Sequence, residues 1–334
     1  MATDRVLGVE TSCDETAASV VAAGTDVLSS VVSSQVDLHA RFGGVVPELA
    51  GRAHVELLTP VIAEAMLTSA TEGRDLAAVA ATVGPGLIGS LLVGVSHAKA
   101  LALVWGVPFV AVNHLEGHLY AAFLEEPAIE LPVVVLLVSG GHTMLVLMEG
   151  HGRYRLLGST IDDAAGEAFD KVARFVGLGY PGGPAIDRLS PEGDASLIAF
   201  PRGLKDEGYD FSFSGLKTSV ITYVRKNPDV DIADVAASFQ EAVVDVLVTK
   251  ARKAARDTGA KGIVLAGGVA ANSALRERLL DACIADSIQG YLPSREMCTD
   301  NAAMIAAAGW WRLQSDGPTA LDAGADPNLR LPVY

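Results

Sequence analysis

LPVVVLLVSGGHTMLVLMEGHGRYRLLGST, residues 131–160, is the stretch on which the reading of the fold turns. Val133 to Val138 is apolar without alternation and of strand length, the pattern of a strand buried on both faces. A Ser139-Gly140-Gly141-His142-Thr143 turn follows, and then two further strands. The same plan stands near the N-terminus. There RVLGVE (5–10) runs into the polar turn TSCDETAAS and continues through VVAAG and VLSSVVSS, with Asp14, Glu15 and Thr16 assigned to the turn. Strand, small-residue turn, strand, repeated once, predicts two related α/β domains facing each other across a cleft, where ligands collect.

Between these units the chain alternates helix and strand. Pro47 opens a periodic helical run to about Leu67. A strand at 77–82 leads through GPGLIGS into a helix, and VPFVAVNH returns as a strand. Beyond residue 160, DDAAGEAFDKVARFV (162–176) reads as a helix, and FSFSGLKTSVITYVR as loop then helix. The span from Asp231 to Gly259 is the clearest amphipathic helix in the chain. Lys261 to Leu265 is a buried strand feeding GGVAAN and a helix. Asp300 and Asn301 stand at the start of a last helix, and the tail from Ser315 has no packing period and is expected to be loosely held.

At 334 residues, with 50% hydrophobic and 19% charged residues, the chain reads as an α/β enzyme and not as a disordered or fibrous one. No apolar run free of glycine and polar residues reaches membrane-spanning length, and MATDRVLGVE has no basic-then-apolar leader, so a cytoplasmic protein with no membrane partner is expected. Three widely spaced cysteines, Cys13, Cys283 and Cys298, suit a reducing compartment. The formal net charge of -15 counts against a self-sufficient nucleic-acid binder. The basic segments Arg41–Arg52 and Arg202–Lys217 are then candidates for a local groove.

Chemistry concentrates at NHLEGH, residues 113–118. His114 and His118 have i,i+4 spacing, so on a helix both imidazoles project from one face. They suit either a ligand pair for zinc or iron or a satisfied pair at a helix start. A metal needs a further ligand, for which Asp300 fits best, with Asp162, Asp163 and Asp170 competing. The text is not the HExxH of zincins, because Glu116 is not next to the first histidine. His39 and His54 read as structural. Three glycine turns, at 84–89, 139–143 and 267–272, each follow an apolar strand, lack a GxGxxG or Walker pattern, and together argue for a nucleotide held between the domains.

Read along its whole length, the chain resembles the bacterial tRNA N6-adenosine threonylcarbamoyltransferases (the TsaD family). The likeness spans roughly residues 5–312 and is carried by GVETSCDETAAS (8–19), FGGVVPELAGRAH (42–54), GPGLIGSLLVG (84–94), VNHLEGH (112–118), LLVSGGHT (136–143), DDAAGEAFDKVA (162–173), YPGGPAID (180–187), DFSFSGLKTS (210–219), SFQEAV (238–243), GGVAAN (267–272) and CTDNAAMIA (298–306). Departures are small: AGRAH for the usual ASRAH, and GHTMLV for GHTQLV or GHTELV.

The resemblance implies an actin/hexokinase/Hsp70-like (ASKHA) α/β fold of tandem ribonuclease-H-like domains with a central nucleotide cleft. The first domain would hold residues 1–115 with 295–334, and the second 116–294. It implies transfer of threonylcarbamoyl from threonylcarbamoyl-AMP to N6 of adenosine 37 in tRNAs reading codons that begin with A. It also implies one divalent metal ion, Fe(2+) or alternatively Zn(2+), held by His114, His118 and Asp300. Leu137, Val138, Ser139, Gly140, Gly141, Asp170, Gly183, Asp187 and Asn272 would bind the adenylate, and Asp14 and Glu15 would be the catalytic acids. Partners implied are tRNA, a paralogous non-catalytic subunit (TsaB), a small ATPase (TsaE) and a separate synthase that supplies threonylcarbamoyl-AMP. An ATP-dependent small-molecule kinase of the same fold leaves the histidine pair unexplained. A non-catalytic scaffold would be expected to lack both that pair and the nucleotide loops.

Overall fold

Strand β1 (Arg5–Glu10) is buried from Val6 onward, and β2 (Glu15–Ala22) pairs with it antiparallel. Strand β3 (Asp26–Ser34) is serine-rich and half exposed, as befits the sheet edge it forms against β2. A short helix α1 (Val36–Ala40) and the long α2 (Pro47–Thr68), with proline at its start, lead to β4 (Leu76–Gly84), which joins β1 in parallel. Helix α3 (Ile88–Trp105) stops at Gly106, whose φ of 68° is the left-handed cap, and carries the chain to β5 (Phe109–Asn113), parallel to β4. Helix α4 (His114–Tyr120) follows without a break. These are observations on a computed structural model that describes residues 4–126 and 128–333.

The second half repeats the plan. Strands β6 (Val133–Val138), β7 (Thr143–Gly150) and β8 (Arg153–Ser159) form an antiparallel meander. Helices α5 (Ala165–Phe175), α6 (Gly182–Leu189), α7 (Ser214–Lys226) and the 27-residue α8 (Ile232–Thr258) intervene before β9 (Gly262–Ala266), which is parallel to β6. Helix α9 (Ser273–Ala285), β10 (Gln289–Tyr291) and α10 (Arg295–Cys298) complete this unit. Strand orders are β3-β2-β1-β4-β5 and β10-β9-β6-β7-β8, the same topology read from opposite ends. The duplication visible in the sequence is therefore one of strand order as well as local pattern.

Helix α11 (Ala302–Ser315) returns to the first unit and packs on β1, β2 and β4. It lies so close that a Cβ at Gly8 would stand 2.2 Å from the Ala302 carbonyl oxygen. By contacts the chain divides into Met1–Ile129 with Thr299–Pro332, and Glu130–Cys298. The break falls after residue 129 and not at 115, because α4 packs against α11 and stays with the first unit. Each unit has its own apolar core, built in the second around α8 and β6 and in the first around β1, β4 and the inner faces of α2 and α3.

One expectation needs correction. The tail is not loose. Thr319 N donates to Phe109 O (2.8 Å), Asp326 N to Val83 O (2.8 Å), and Gly86 N to Pro327 O (3.2 Å), tying it to β4, β5 and the loop before α3. Such bonds run through backbone carbonyls and leave no side-chain period to read. Helix α3 has the length and mean hydropathy of a membrane span, at 1.5 with 33% of that window buried, but it contains Gly89, Ser90, Gly94, Ser96, His97 and Lys99, in keeping with the sequence reading. In this fold it packs on β4 and α2.

Candidate metal centre and adenylate loops

Asn113 ends β5 and caps α4, its Oδ1 accepting from Leu115 N (2.9 Å) and Glu116 N (3.3 Å). That cap starts the helix on His114, so His114 and His118 share a face. The other two residues of HLEGH fasten the helix. Buried Glu116 pairs with Arg312 of α11, and a Cβ on Gly117 would stand 2.7 Å from Ile305 Cδ1, so glycine lets the two helices cross closely. Asn301 caps α11 through Met304 N (3.0 Å) and thereby sets Asp300 just ahead of that helix. Asp300 Oδ1 lies 3.2 Å from His118 Nε2 and 3.6 Å from His114 Nε2. One ligand atom from each of the three residues falls within 4.8 Å of the others, the one such group of three found among the described residues.

His118 is the deciding group. It is fully buried, and apart from the 3.2 Å approach of Asp300 Oδ1 to Nε2 neither ring nitrogen meets a hydrogen-bond partner among the described residues. An orphaned buried imidazole costs about 1–3 kcal/mol unless something else takes its lone pair. Ligand atoms about 2.0–2.1 Å from a tetrahedral ion stand about 3.3 Å apart, close to the two separations seen. The residues therefore fit a divalent cation.

Glu10, which drew no attention in the sequence, completes the site. It is fully buried at the end of β1, and its Oε2 meets His114 Nδ1 at 3.0 Å and accepts from Thr82 Oγ1 at 2.6 Å. Its Oε1 accepts from Ser12 N. A carboxylate on Nδ1 turns Nε2 toward Asp300 and raises its basicity, the usual arrangement behind a metal-bound histidine. The only sequence signal was an acid closing an otherwise apolar strand. Burial disfavours a charged His114, but Asp300 and Glu10 outweigh it and lift the imidazole to about 9. Burial likewise disfavours the Asp300 anion, yet His114 and His118 hold the carboxyl down at about 2. A cation and a proton thus compete for His114.

Strand β2 begins at Glu15, inside the segment expected to be turn, so the turn is Thr11–Asp14; Glu15 and Thr16 belong to the strand, and Thr16 is fully buried. Asp14 is buried, and Glu15 Oε1 accepts from Ser34 Oγ at 3.1 Å. Burial, with Asp300 and Asp14 adding like charge, pushes the Glu15 carboxyl up to about 9. A cation at the cluster opposes that shift.

In the second unit, Leu137 and Val138 end β6, and Ser139–Gly141 turn the chain into β7. Ser139 N donates to His142 O (2.7 Å), and a Cβ on Gly140, Gly141 or Gly183 would meet nothing within 4 Å. Packing does not demand glycine at those positions, and their backbone is open to a ligand. Gly267 does need to be glycine, with φ of 86° and a Cβ position 2.6 Å from Val138 O. The polar members of the set hold the loops. Asp170 Oδ1 accepts from Gly182 N (2.8 Å), and both Asp187 oxygens accept from Ser273 N (3.1 Å each). Asn272 caps α9 through Leu275 N (2.9 Å) and donates to Gln240 Oε1 (2.7 Å). Burial raises the Asp170 carboxyl despite the Gly182 amide.

The competing acids have other partners. Asp162 accepts from Phe213 N (2.8 Å), and Asp163 pairs with Lys171 (2.9 Å) and Lys217 (2.5 Å). In the Arg202–Lys217 segment, Arg202 and Lys205 both meet Asp245, at 2.9 and 2.8 Å, which leaves little free positive charge there. Arg52 in the other segment pairs with Glu48 at 2.7 Å on the exposed side of α2.

The family model for TsaD, tRNA N6-adenosine threonylcarbamoyltransferase, matches residues 26–307. The chain belongs to that family. Curated relatives of the same name agree along nearly the full length. The protein of Symbiobacterium thermophilum is 55% identical over 331 residues, covering 98% of this chain and 97% of its own. That of Carboxydothermus hydrogenoformans is 54% identical over 327 residues, with the same coverage of each chain. Among solved structures, HypF of T. kodakarensis superposes with a TM-score of 0.67 at 16% identity, over 94% of this chain and 48% of that one. Component A of the (R)-2-hydroxyglutaryl-CoA dehydratase of Acidaminococcus fermentans gives 0.56 at 15% identity, over 93% and 99%. At such identities these likenesses concern the fold, which is the ASKHA type expected of the family.

Proposed function

We propose that this chain transfers the threonylcarbamoyl group from threonylcarbamoyl-AMP to N6 of adenosine 37 in tRNAs reading codons that begin with A, forming t6A and releasing AMP. The observation that carries this reading is 55% identity to a named transferase over 98% of the chain, together with the His114–His118–Asp300 cluster backed by Glu10.

The donor is a mixed anhydride, so its carbonyl is activated and AMP is a good leaving group. Adenine N6 is a poor nucleophile because its lone pair is delocalised into the ring. In the transfer, the N6–carbon bond forms, the carbon–oxygen bond to phosphate breaks, and one N6 proton leaves. Catalysis then depends on positioning, a proton acceptor and charge stabilisation. His114, His118 and Asp300 would hold a divalent ion, iron first and zinc as the alternative; when bound it supplies Lewis-acid stabilisation of anionic oxygen. Asp14 or Glu15 would take the N6 proton. Glu15 must be ionised to do so, which ties its competence to positive charge at the neighbouring cluster. Leu137, Val138, Ser139 and the open backbone of Gly140, Gly141 and Gly183 would receive the adenylate, with Asp170, Asp187 and Asn272 keeping those loops in shape.

With a net charge of -15, this chain is expected to grip tRNA together with partners: a paralogous non-catalytic subunit and a small ATPase, while a separate synthase makes the donor. All would work in the cytoplasm. Reconstitution tests the whole proposal. Purified chain, partners, synthase, ATP, bicarbonate, labelled threonine and tRNA should place label on adenosine 37. Metal-replete protein that yields none while the synthase makes its product would overturn it.

A further inference from the structure

A buried polar chain lies behind the Thr11–Asp14 turn and has no part in the chemistry above. His39, His54 and Thr16 are fully buried and Gln35 is 4% exposed. Their contacts admit one assignment of hydrogens. His54 Nε2 lies 3.0 Å from the Cys13 carbonyl, which can only accept, so Nε2 carries the proton and Nδ1 accepts. Thr16 Oγ1 donates to that Nδ1 at 2.8 Å, and Gln35 Nε2 approaches it at 3.4 Å and Thr16 Oγ1 at 3.5 Å. This sets the Gln35 amide, whose Oε1 accepts from His39 Nε2 at 3.2 Å. His39 Nδ1 then accepts from Val46 N at 3.3 Å, at the entry to α2. Both imidazoles are neutral in this scheme, and burial holds His54 below the ordinary histidine value, in agreement.

Every donor in the chain points from Val46 toward Cys13. Three successive residues of the turn are held from three sides: Ser12 N by Glu10, Cys13 O by His54, and Asp14 O by Gln35 N at 2.9 Å. The first of these anchors also orients His114. A buried polar network whose groups are all satisfied rigidifies what it holds, and here its end point is the backbone that carries both acids. Because a carbonyl terminates it, it cannot deliver a proton to the site and can only aim it.

We propose that His54 is a positioning residue for threonylcarbamoyl transfer: through the Cys13 carbonyl it fixes the turn that presents Asp14 and Glu15, and Thr16, Gln35 and His39 hold it in the one tautomer able to do so. This rests on the function proposed above. The test uses the full chain with its partners and the variants His54→Ala, His54→Gln and Thr16→Val, the last keeping side-chain shape while removing the hydroxyl donor. His54→Ala is expected to lower kcat about tenfold to a hundredfold, the scale of a small misplacement of reacting groups, with metal content and KM for tRNA unchanged. His54→Gln, which can still donate to Cys13 O, should recover most of the loss, and Thr16→Val should fall between.

Alkylation of Cys13, which is half-buried whereas Cys283 and Cys298 are buried, gives a second readout without turnover. Its rate should rise about tenfold in His54→Ala and Thr16→Val as the turn loosens. Unchanged alkylation and kcat, or a loss wholly in KM or metal content, would refute the assignment. Faster alkylation in a chain that transfers nothing even as wild type would uphold the positioning and remove the reaction it serves.

Discussion

Two imidazoles and a carboxylate meet at Asp300, and what each does follows from its neighbours. Among the described residues His118 has no other partner for its nitrogens, whereas His114 is turned by Glu10. Replacing His118 with Ala should therefore abolish stoichiometric metal, measured by elemental analysis after anaerobic purification. Glu10→Gln should keep the ligands but weaken metal affinity about 10–100-fold, as outer partners of metal-bound histidines do. A Glu10→Gln variant with wild-type affinity would contradict the role given to Glu10. That the two histidines share a face could be read from spacing alone because i,i+4 is a local property, while their use as ligands could not. Asp300 needed context, and Glu10 was illegible because an acid closing a strand looks like ordinary chain polarity until its burial is known. For the acids, Glu15→Gln and Asp14→Asn are each expected to slow transfer about 10²–10⁴-fold if that residue is the base. Near-full turnover by both, with threonylcarbamoyl-AMP supplied, would remove the assignment.

Helices and strands bring these residues together, and the decisive contacts are close ones. Gly8 lets α11 lie against β1, so Gly8→Ala must push Ala302 and, with it, the start of the helix that follows Asp300. We expect a loss of at least about 2 kcal/mol, read as a lower unfolding midpoint, together with reduced metal content. The tail acts at the same scale. Arg330 O accepts from Asn113 Nδ2 at 2.9 Å, which sets the amide that caps α4. Deleting residues 326–334 should lower metal affinity while leaving both sheets intact by circular dichroism. Periodicity revealed the long strands and helices, because packing faces repeat. It missed the short α1, α6, β10 and α10, which have too few turns or residues to show a period, and said nothing of the tail, which is held by carbonyls.

Asp245 fastens the 200–205 loop to α8. Burial works against its anion, but Lys205 and Arg202 outweigh that and hold its carboxyl below the ordinary range. A carboxyl lowered by folding adds stability above its unfolded value of about 3.9 and loses it as pH falls through the folded one. The deficit of Asp245→Asn, about 1–2 kcal/mol at pH 7, should therefore persist to about pH 5 and shrink toward pH 3 in chemical denaturation.

Over the whole molecule, the repeated strand order explains why one sequence holds two similar sets of loops at strand ends, and why residues 131–160 were so informative. Charge is the other property of this scale. At -15, the isolated chain should retain less than about a tenth of the tRNA affinity of its assembly at physiological salt, in filter binding. The central claim concerns one bond to one base, so its most direct test is single-turnover transfer from supplied threonylcarbamoyl-AMP. Metal-replete chain and partners would act on tRNA bearing adenosine or inosine at position 37, followed by digestion and mass analysis of the nucleosides. Threonylcarbamoyladenosine should form with adenosine at 37, disappear with inosine, and disappear again with His118→Ala. Product of equal yield from the inosine tRNA, or none from the adenosine tRNA with partners active, would contradict the account.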